Sequence, residues 1–426
     1  MAKFQSINLP KDKDMRKIDS TWDYKGEKTK SYTHCMHTYP AMFIPQVARR
    51  LLEQYSDKGN TVCDIFCGSG TALVESRLLG RNSYGIDLNP LATFLAKVKT
   101  TEIDSRLLYK TYFKLIDDIQ FISDKEITIP NFKNIDFWFK PQVIKKLAKL
   151  KKVINEIKKE DIRNFFMVVF SETVRLSSNT RSSEFKLYRY AKEKLENYDP
   201  DVTGIFKKKA EISLEGMTQF YKDVDKSTWA KVIFGDSSED NGIKENSIDC
   251  IITSPPYGDS RTTVAYGQFS RLSLQWLDIV DKSDNVIQID NDLLGGKATI
   301  DFNHTLNSKH LYSVIEKIKL KDEKRAREVL SFFIDLEKCI KRAYKILKPQ
   351  KYFCIVIGNR LVKQVRIPTD FIISELGQLN GFSCENLFVR NIPGKRMPIK
   401  NSPTNKVGAL EDTMTKESIV ILKKIK

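Results

Sequence analysis

The stretch TVCDIFCGSGTALVES, Thr61 to Ser76, constrains the fold more than any other. Mostly apolar residues that suit a strand run into Gly68-Ser69-Gly70, and a helical pattern follows. Glycines at such a junction let the chain turn tightly and bring its backbone close to a ligand, beside the positive end of the next helix. No Lys-Ser or Lys-Thr follows them, so the loop is not that of a nucleoside-triphosphate binder. About twenty residues on, SYGID ends in Asp87, where a carboxylate can accept hydrogen bonds from ribose hydroxyls. Capping a helix at Leu88-Asn89-Pro90 is the plainer alternative for that residue.

Short apolar runs alternate with helical patterns along the rest of the chain, which predicts an α/β sheet. Candidate strands are Thr61–Phe66, Ser83–Asp87, Lys231–Phe234, Ile248–Thr253 and Tyr352–Ile357. Ser383–Arg390 and Glu417–Lys423 can form an antiparallel pair at the end. Between them the texture changes twice. PQVIKKLAKLKKVINEIKK has apolar residues at helical spacing and a lysine-rich outer face, and a second helix is expected over Asp161–Leu176. The chain therefore divides into a ligand-binding half (1–100), a mostly helical insertion (101–230), a second half (231–277), a smaller insertion (278–330) and a C-terminal part of the sheet (331–426).

NSIDCIITSPPYGDS, Asn246 to Ser260, poses a different problem. Two consecutive prolines neither extend a strand nor enter a helix interior, because each lacks an N–H and fixes φ. The strand stops abruptly and leaves a serine, two free carbonyls and an aromatic ring at its tip.

DIFCGSGT with GIDLNP downstream resembles the S-adenosylmethionine (SAM) pocket of class I methyltransferases, and TSPPY resembles the catalytic motif of the DNA amino-methyltransferases of restriction–modification systems. HCMHTYPAMFIPQVARRLLEQYS (His34–Ser56) is similar to that family's segment around the methionine end of the cofactor. KVIFGDSSE resembles its adenine-contacting strand, YGQFSRLSLQWL stands where its next helix falls, and ILKPQKYFCIVIGN matches a later turn and strand, with Gln350-Lys351 in place of glycines. The resemblance implies a Rossmann-like, doubly wound sheet with a C-terminal antiparallel β-hairpin and helical insertions. It also implies SAM as cofactor, held by Tyr39, Pro40, Asp64, Phe66, Gly68, Ser69, Gly70, Thr71, Asp87, Leu88, Asp236 and Ser237. Ser254, Pro255, Pro256 and Tyr257 become the catalytic residues: the Ser254 hydroxyl and Pro255 carbonyl accept from the amine, and Tyr257 stacks on an extruded base. Serine at the first motif position is the family's usual choice for cytosine N4; adenine N6 and an RNA amine stay open, as does a SAM-binding DNA-recognition protein without activity. No cysteine follows a proline, which disfavours methylation at cytosine C5.

The net charge of +17 is uneven, with a surplus of +11 in residues 341–426 and −4 in 231–340. Lysine and arginine gain affinity for a polyanion by releasing its counterions, and the family resemblance implies that the polyanion is double-stranded DNA. Candidate DNA contacts are Arg175, Arg181 and Arg189 in RLSSNTRSSEFKLYRY, and Lys395 and Arg396 in IPGKRMPIKNSPTNK. A fused nuclease is not visible; a separate restriction endonuclease fits the family's biology. His34 and His37 flank Cys35, but no second ligand cluster accompanies them, and no metal is expected. Scattered cysteines without CxxC pairs, no secretory leader and no apolar run near ~20 residues predict a cytoplasmic protein with no membrane partner.

Overall fold

The computed structural model describes residues 16–181, 184–259, 263–280, 285–299, 301–303, 306–392, 400–401, 411–412 and 414–426. An eight-stranded sheet organises them. Its strands in chain order are β1 (Arg16–Ile18), β2 (Thr61–Asp64), β3 (Asn82–Asp87), β4 (Ala230–Phe234), β5 (Ile248–Thr253), β6 (Leu347–Ile357), β7 (Phe382–Asn391) and β8 (Lys416–Lys424). They lie in the order β1-β7-β8-β6-β5-β2-β3-β4. From β6 to β4 all pairings are parallel, and β8 runs antiparallel to both β6 and β7. The expected strands and the antiparallel C-terminal pair are all present, with β6 starting earlier than the apolar run suggests, at Leu347.

Helices cover both faces, as a parallel sheet requires. Every residue of β5 is buried; its one charged residue, Asp249, accepts from Thr61 N at 2.9 Å and pairs with Lys348 at 2.6 Å. The principal helices are α1 (Pro45–Tyr55), α2 (Thr71–Leu78), α3 (Pro90–Thr100), α4 (Ser105–Asp118), α5 (Pro141–Asn155), α6 (Glu160–Ser177), α7 (Val202–Asp223), α8 (Tyr266–Leu277), α9 (Asn285–Asp292), α10 (Lys309–Lys319), α11 (Glu323–Ile346) and α12 (Thr369–Leu379). The long stretch between β3 and β4 is helical, as its periodicity predicts. It is not a separate body. One continuous buried cluster joins Leu108, Leu147, Phe166 and Phe206 of that stretch to Leu91 and Leu95 of α3 and to Phe269 and Trp276 of α8. α11 runs unbroken across residue 330, where the sequence suggests the second insertion ends. Among the described residues, no helix is long and apolar enough to cross a membrane.

Candidate active site

Chain order reverses between β5 and β2: the chain proceeds outward through β3 and β4, then returns to lay down β5 and β6 on the other side. Loops leaving the carboxyl ends of two such strands diverge and leave a crevice. Here the crevice is a cavity of about 530 Å³, a size typical of small-molecule sites, roughly 300–1,000 Å³.

The loop after β2 forms one wall. Gly68 and Gly70 have φ of 49° and 84°, the left-handed region that glycine enters without a Cβ penalty. A Cβ on Gly70 would also lie 2.9 Å from Ala96 Cα, so this glycine lets α2 pack against α3. Phe66, Gly68, Ser69 and Thr71 face the cavity, whereas Gly70 stands behind it as the N-cap of α2. Beneath the loop, Lys99 is fully buried with Nζ 3.4 Å from Ser69 Oγ, and burial lowers its pKa to about 8.

Asp87 serves the loop as well as the cavity. Its Oδ2 accepts from Gly68 N at 2.8 Å and its Oδ1 from Asn89 N at 2.8 Å, with Leu88 N a further donor to the carboxylate, so acceptor capacity remains for a ligand. Asn89, not Asp87, caps α3, accepting from Leu91 N at 3.0 Å. Asp64 Oδ1 accepts from Thr253 Oγ1 at 2.6 Å and from Phe66 N at 3.1 Å. Burial raises Asp64 to about 7 and Asp87 to about 6.

Thr253, the last residue of β5, was not singled out in the sequence, yet it ties the two strand tips together. Its hydroxyl donates to Asp64 and accepts from Phe66 N at 3.2 Å. Beyond it, Ser254 and Pro256 line the same cavity as Gly68, while Pro255 is buried behind them. Tyr257 also lies outside the lining; its phenol donates to Glu417 Oε1 at 2.9 Å, and its ring end interacts with Ser254. Gly258 has no room for a side chain, since a Cβ there would fall 2.1 Å from Arg360 Nη1, which is itself bound to Asp259.

The remaining walls come from several other elements. Tyr39 and Pro40 enter from the segment before α1, with the Tyr39 ring 5.9 Å from those of Tyr266 and Phe269. Leu88 follows β3; Asp236 and Ser237 follow β4, where Asp236 Oδ1 accepts from Ser238 N at 2.8 Å and Ser237 donates to Ile65 O. Eleven of the twelve expected cofactor residues therefore surround one space, Gly70 being the exception. Sequence reasoning missed Tyr266, although its motif was visible, and missed Asn291–Leu294 and Lys297, whose polar insertion carries no readable signal. That insertion is fastened to α8, because Asp290 accepts from Gly267 N at 2.8 Å and Gln268 N at 3.0 Å.

Of the arginines expected at a DNA surface, Arg175 is placed elsewhere. It is 7% exposed, with Nε 3.2 Å from Glu172 Oε2 and its guanidinium over Phe269, because α6 is buried on almost every face at that point. Arg181 and Arg189 are exposed, the first beside Glu184 and the second 4.1 Å over Phe137. Lys395 and Arg396 lie outside the described residues. The two histidines near Cys35 take different partners: His34 Nε2 meets Glu75 Oε1 at 2.8 Å, and His37 Nε2 meets Ser171 Oγ at 3.0 Å.

Six carboxylates (Asp64, Asp87, Asp236, Glu239, Asp292 and Asp335) face the cavity against two lysines, Lys297 and Lys338, with Phe66, Leu88 and Tyr266 as apolar surface. That surplus of negative charge suits a sulfonium and an ammonium, and the flat apolar walls suit a purine. On this topology such a cavity defines a class I SAM-dependent methyltransferase. Residues 3–97 match the family described as DNA methylase. The chain is 44% identical over 441 aligned residues to the Type II methyltransferase M.MvaI of Kocuria varians, covering 97% of this chain and 96% of that protein. It is 28% identical over 165 residues to the Type II methyltransferase M.MjaII of Methanocaldococcus jannaschii (36% of this chain, 31% of that protein). It is 30% identical over 100 residues to M.BsoBI of Geobacillus stearothermophilus, 22% of this chain and 19% of that protein. The chain belongs to the SAM-dependent DNA amino-methyltransferases of restriction–modification systems.

The raised carboxyls carry a consequence for cofactor binding. Just below neutrality Asp64 and Asp87 are partly protonated in the free protein. A cation beside Asp64 and hydroxyl donors on Asp87 would favour their ionised forms, so binding should release protons. SAM affinity is expected to rise as pH increases from about 5.5 to about 8, as read by calorimetry in two buffers of different ionisation enthalpy. An affinity that is flat across this window, without proton release, would mean that these carboxyls do not contact the cofactor.

Proposed function

We propose that this methyltransferase modifies N4 of a cytosine extruded from duplex DNA. The observation that carries the reading is that Ser254 and the glycine loop face one cavity, their strand tips joined through Thr253. An exocyclic amine is a poor nucleophile because its lone pair is delocalised into the ring. Acceptors for both of its N–H bonds let the nitrogen become more tetrahedral. The Ser254 hydroxyl and Pro255 carbonyl are those acceptors, and Pro255-Pro256 holds them rigid before the base arrives. Tyr257 offers a stacking face worth ~1–3 kcal/mol, comparable with the few kcal/mol that unstacking a paired base costs.

SAM supplies a methyl group on a good leaving group. The protein's main task is therefore alignment of amine and methyl, worth up to ~7–11 kcal/mol. Asp87 would hold the ribose hydroxyls; Asp236, Ser237, Leu88 and Phe66 the adenine; and Asp64, Tyr39, Pro40 and the loop from Gly68 to Thr71 the methionine side.

Residues 101–230 are the element that reads the target in this proposal, with residues 231–277 and 331–426 completing the catalytic half around the second insertion. Arg181 and Arg189 contact DNA; Arg189 lies over the exposed Phe137 ring, and Arg181 N donates to the carbonyl of the exposed Tyr188. Lys395 and Arg396 add phosphate contacts. The modification shields host DNA from a separate restriction endonuclease. DNA from cells expressing the protein, digested to nucleosides and weighed, is expected to contain N4-methylcytosine. N6-methyladenine instead would transfer the reading to adenine, and unmodified nucleosides would leave a recognition protein without chemistry.

A further inference from the structure

We propose that Glu417, backed by Arg390, is a positioning residue that aims the Tyr257 ring at the target base. This rests on the reading of Tyr257 as the stacking face. Glu417 and Arg390 are directly opposed across the β8–β7 pairing. Arg390 Nη1 reaches Glu417 Oε2 at 2.7 Å, and the other carboxylate oxygen accepts from the Tyr257 phenol at 2.9 Å. The Arg390 side chain is 1% exposed, and its Nη2 also donates to Asp23 O at 3.2 Å. Arginine is thus immobilised inside the sheet and holds the carboxylate in turn.

The division of labour between the two oxygens is the telling feature. A glutamate needed only to neutralise Arg390 could give it both oxygens in a forked pair; here one is turned toward the catalytic loop. The phenol stays a donor, since burial and then the Glu417 charge push its pKa well above the ordinary range.

A phenol oxygen lies on the axis about which its ring spins, so this hydrogen bond decides where the axis points and not how the ring turns. Rotation is limited elsewhere. A Cβ on Gly358, just past the end of β6, would come 2.7 Å from Tyr257 Cδ2 and closer still to Met414 Sδ, so the ring edge and the Met414 thioether crowd the same bare stretch of backbone. Axis and rotation are both set before any base arrives. A side chain held in this way loses little freedom on stacking.

The test uses the full-length protein, SAM and a duplex carrying the site mapped by methylation sequencing, with a fluorescent base analogue at the target position. Glu417→Ala is avoided because it would strand a buried guanidinium. Glu417→Gln keeps the shape, but its amide oxygen can accept from only one of the two donors. Tyr257→Phe approaches from the other end and leaves the Glu417–Arg390 pair intact. Each is expected to lower kcat about tenfold, with KM for SAM unchanged and a smaller analogue signal. The double variant should be no slower than Tyr257→Phe alone, because that substitution already removes the link to Glu417 together with the phenol's contact to Ser254. Multiplying losses in the double variant, or an unchanged analogue signal in Glu417→Gln, would overturn the positioning role and leave Glu417 as a sheet residue. Tyr257→Ala separates the two levels: if it methylates normally, the stacking reading itself fails.

Discussion

Ser254→Ala is expected to lower kcat for DNA methylation about 10²–10³-fold, the loss seen when one preorganised polar group is removed from a reacting centre. SAM binding should be nearly untouched. The side of the cavity proposed for the cofactor is built from the loop after β2, the ends of β3 and β4 and the segment at Tyr39, none of which uses the Ser254 hydroxyl. Rigidity sharpens the effect. Thr253 is pinned to Asp64 on one side of Ser254 and prolines follow on the other, so the main chain cannot shift to bring another acceptor to the amine. Single-turnover rates with saturating SAM, beside calorimetric SAM affinities, separate chemistry from binding. A rate within about threefold of the parent would remove Ser254 from the chemistry.

Glu172→Ala is expected to cost about 3–5 kcal/mol of stability, the range for removing one member of a buried charge cluster. Glu172 is 1% exposed. Its Oε1 accepts from Thr38 Oγ1 at 2.8 Å and Lys209 Nζ at 3.3 Å; its Oε2 meets Arg175 Nε at 3.2 Å and His37 Nε2 at 3.6 Å. Burial alone would raise the carboxyl, but His37, Arg175 and Lys209 outweigh it and hold it down to about 2. Burial first of all also lowers His37, to about 4, so its ring is neutral at ordinary pH and joins the attraction only in acid. Both depressed groups act in the same direction. Their contribution is full above the unfolded histidine value of ~6.5 and fades as pH falls through about 4 and then toward about 2. Urea unfolding at about pH 7.5 and about pH 5, for parent and variant, measures both effects. A midpoint that does not move on substitution would mean that the cluster is incidental.

The cavity wall was legible because its physics is local. A left-handed glycine, a fully buried strand and a carboxylate at a strand end each leave a mark within a few residues, and Asp64, Asp87 and Ser254 could be read from such marks. Arg175 was misread for a local reason too. RLSSNTRSS looks like a polar surface string, and only Glu172, three residues earlier on the same helical face, hinted that the arginine is paired inside. The contact between Tyr257 and Glu417 bridges 160 positions, and no composition or periodicity reports it. The same holds for Asn291 to Lys297, whose place in the cavity wall depends on Asp290 meeting the start of α8.

The buried cluster that runs from the helices between β3 and β4 into α3 and α8 bears on how such an enzyme can be retargeted. Phe170 and Phe139 sit edge-on to Trp276, and Glu172 reaches to Thr38 beside the wall at Tyr39. Grafting a foreign helical segment between Thr100 and Ala230 would sever these contacts and leave Trp276 facing mismatched neighbours. If target reading resides in that segment, as proposed above, the smallest exchangeable cassette is the segment together with the helix after Tyr257, and a swap of specificity must also carry part of the catalytic half.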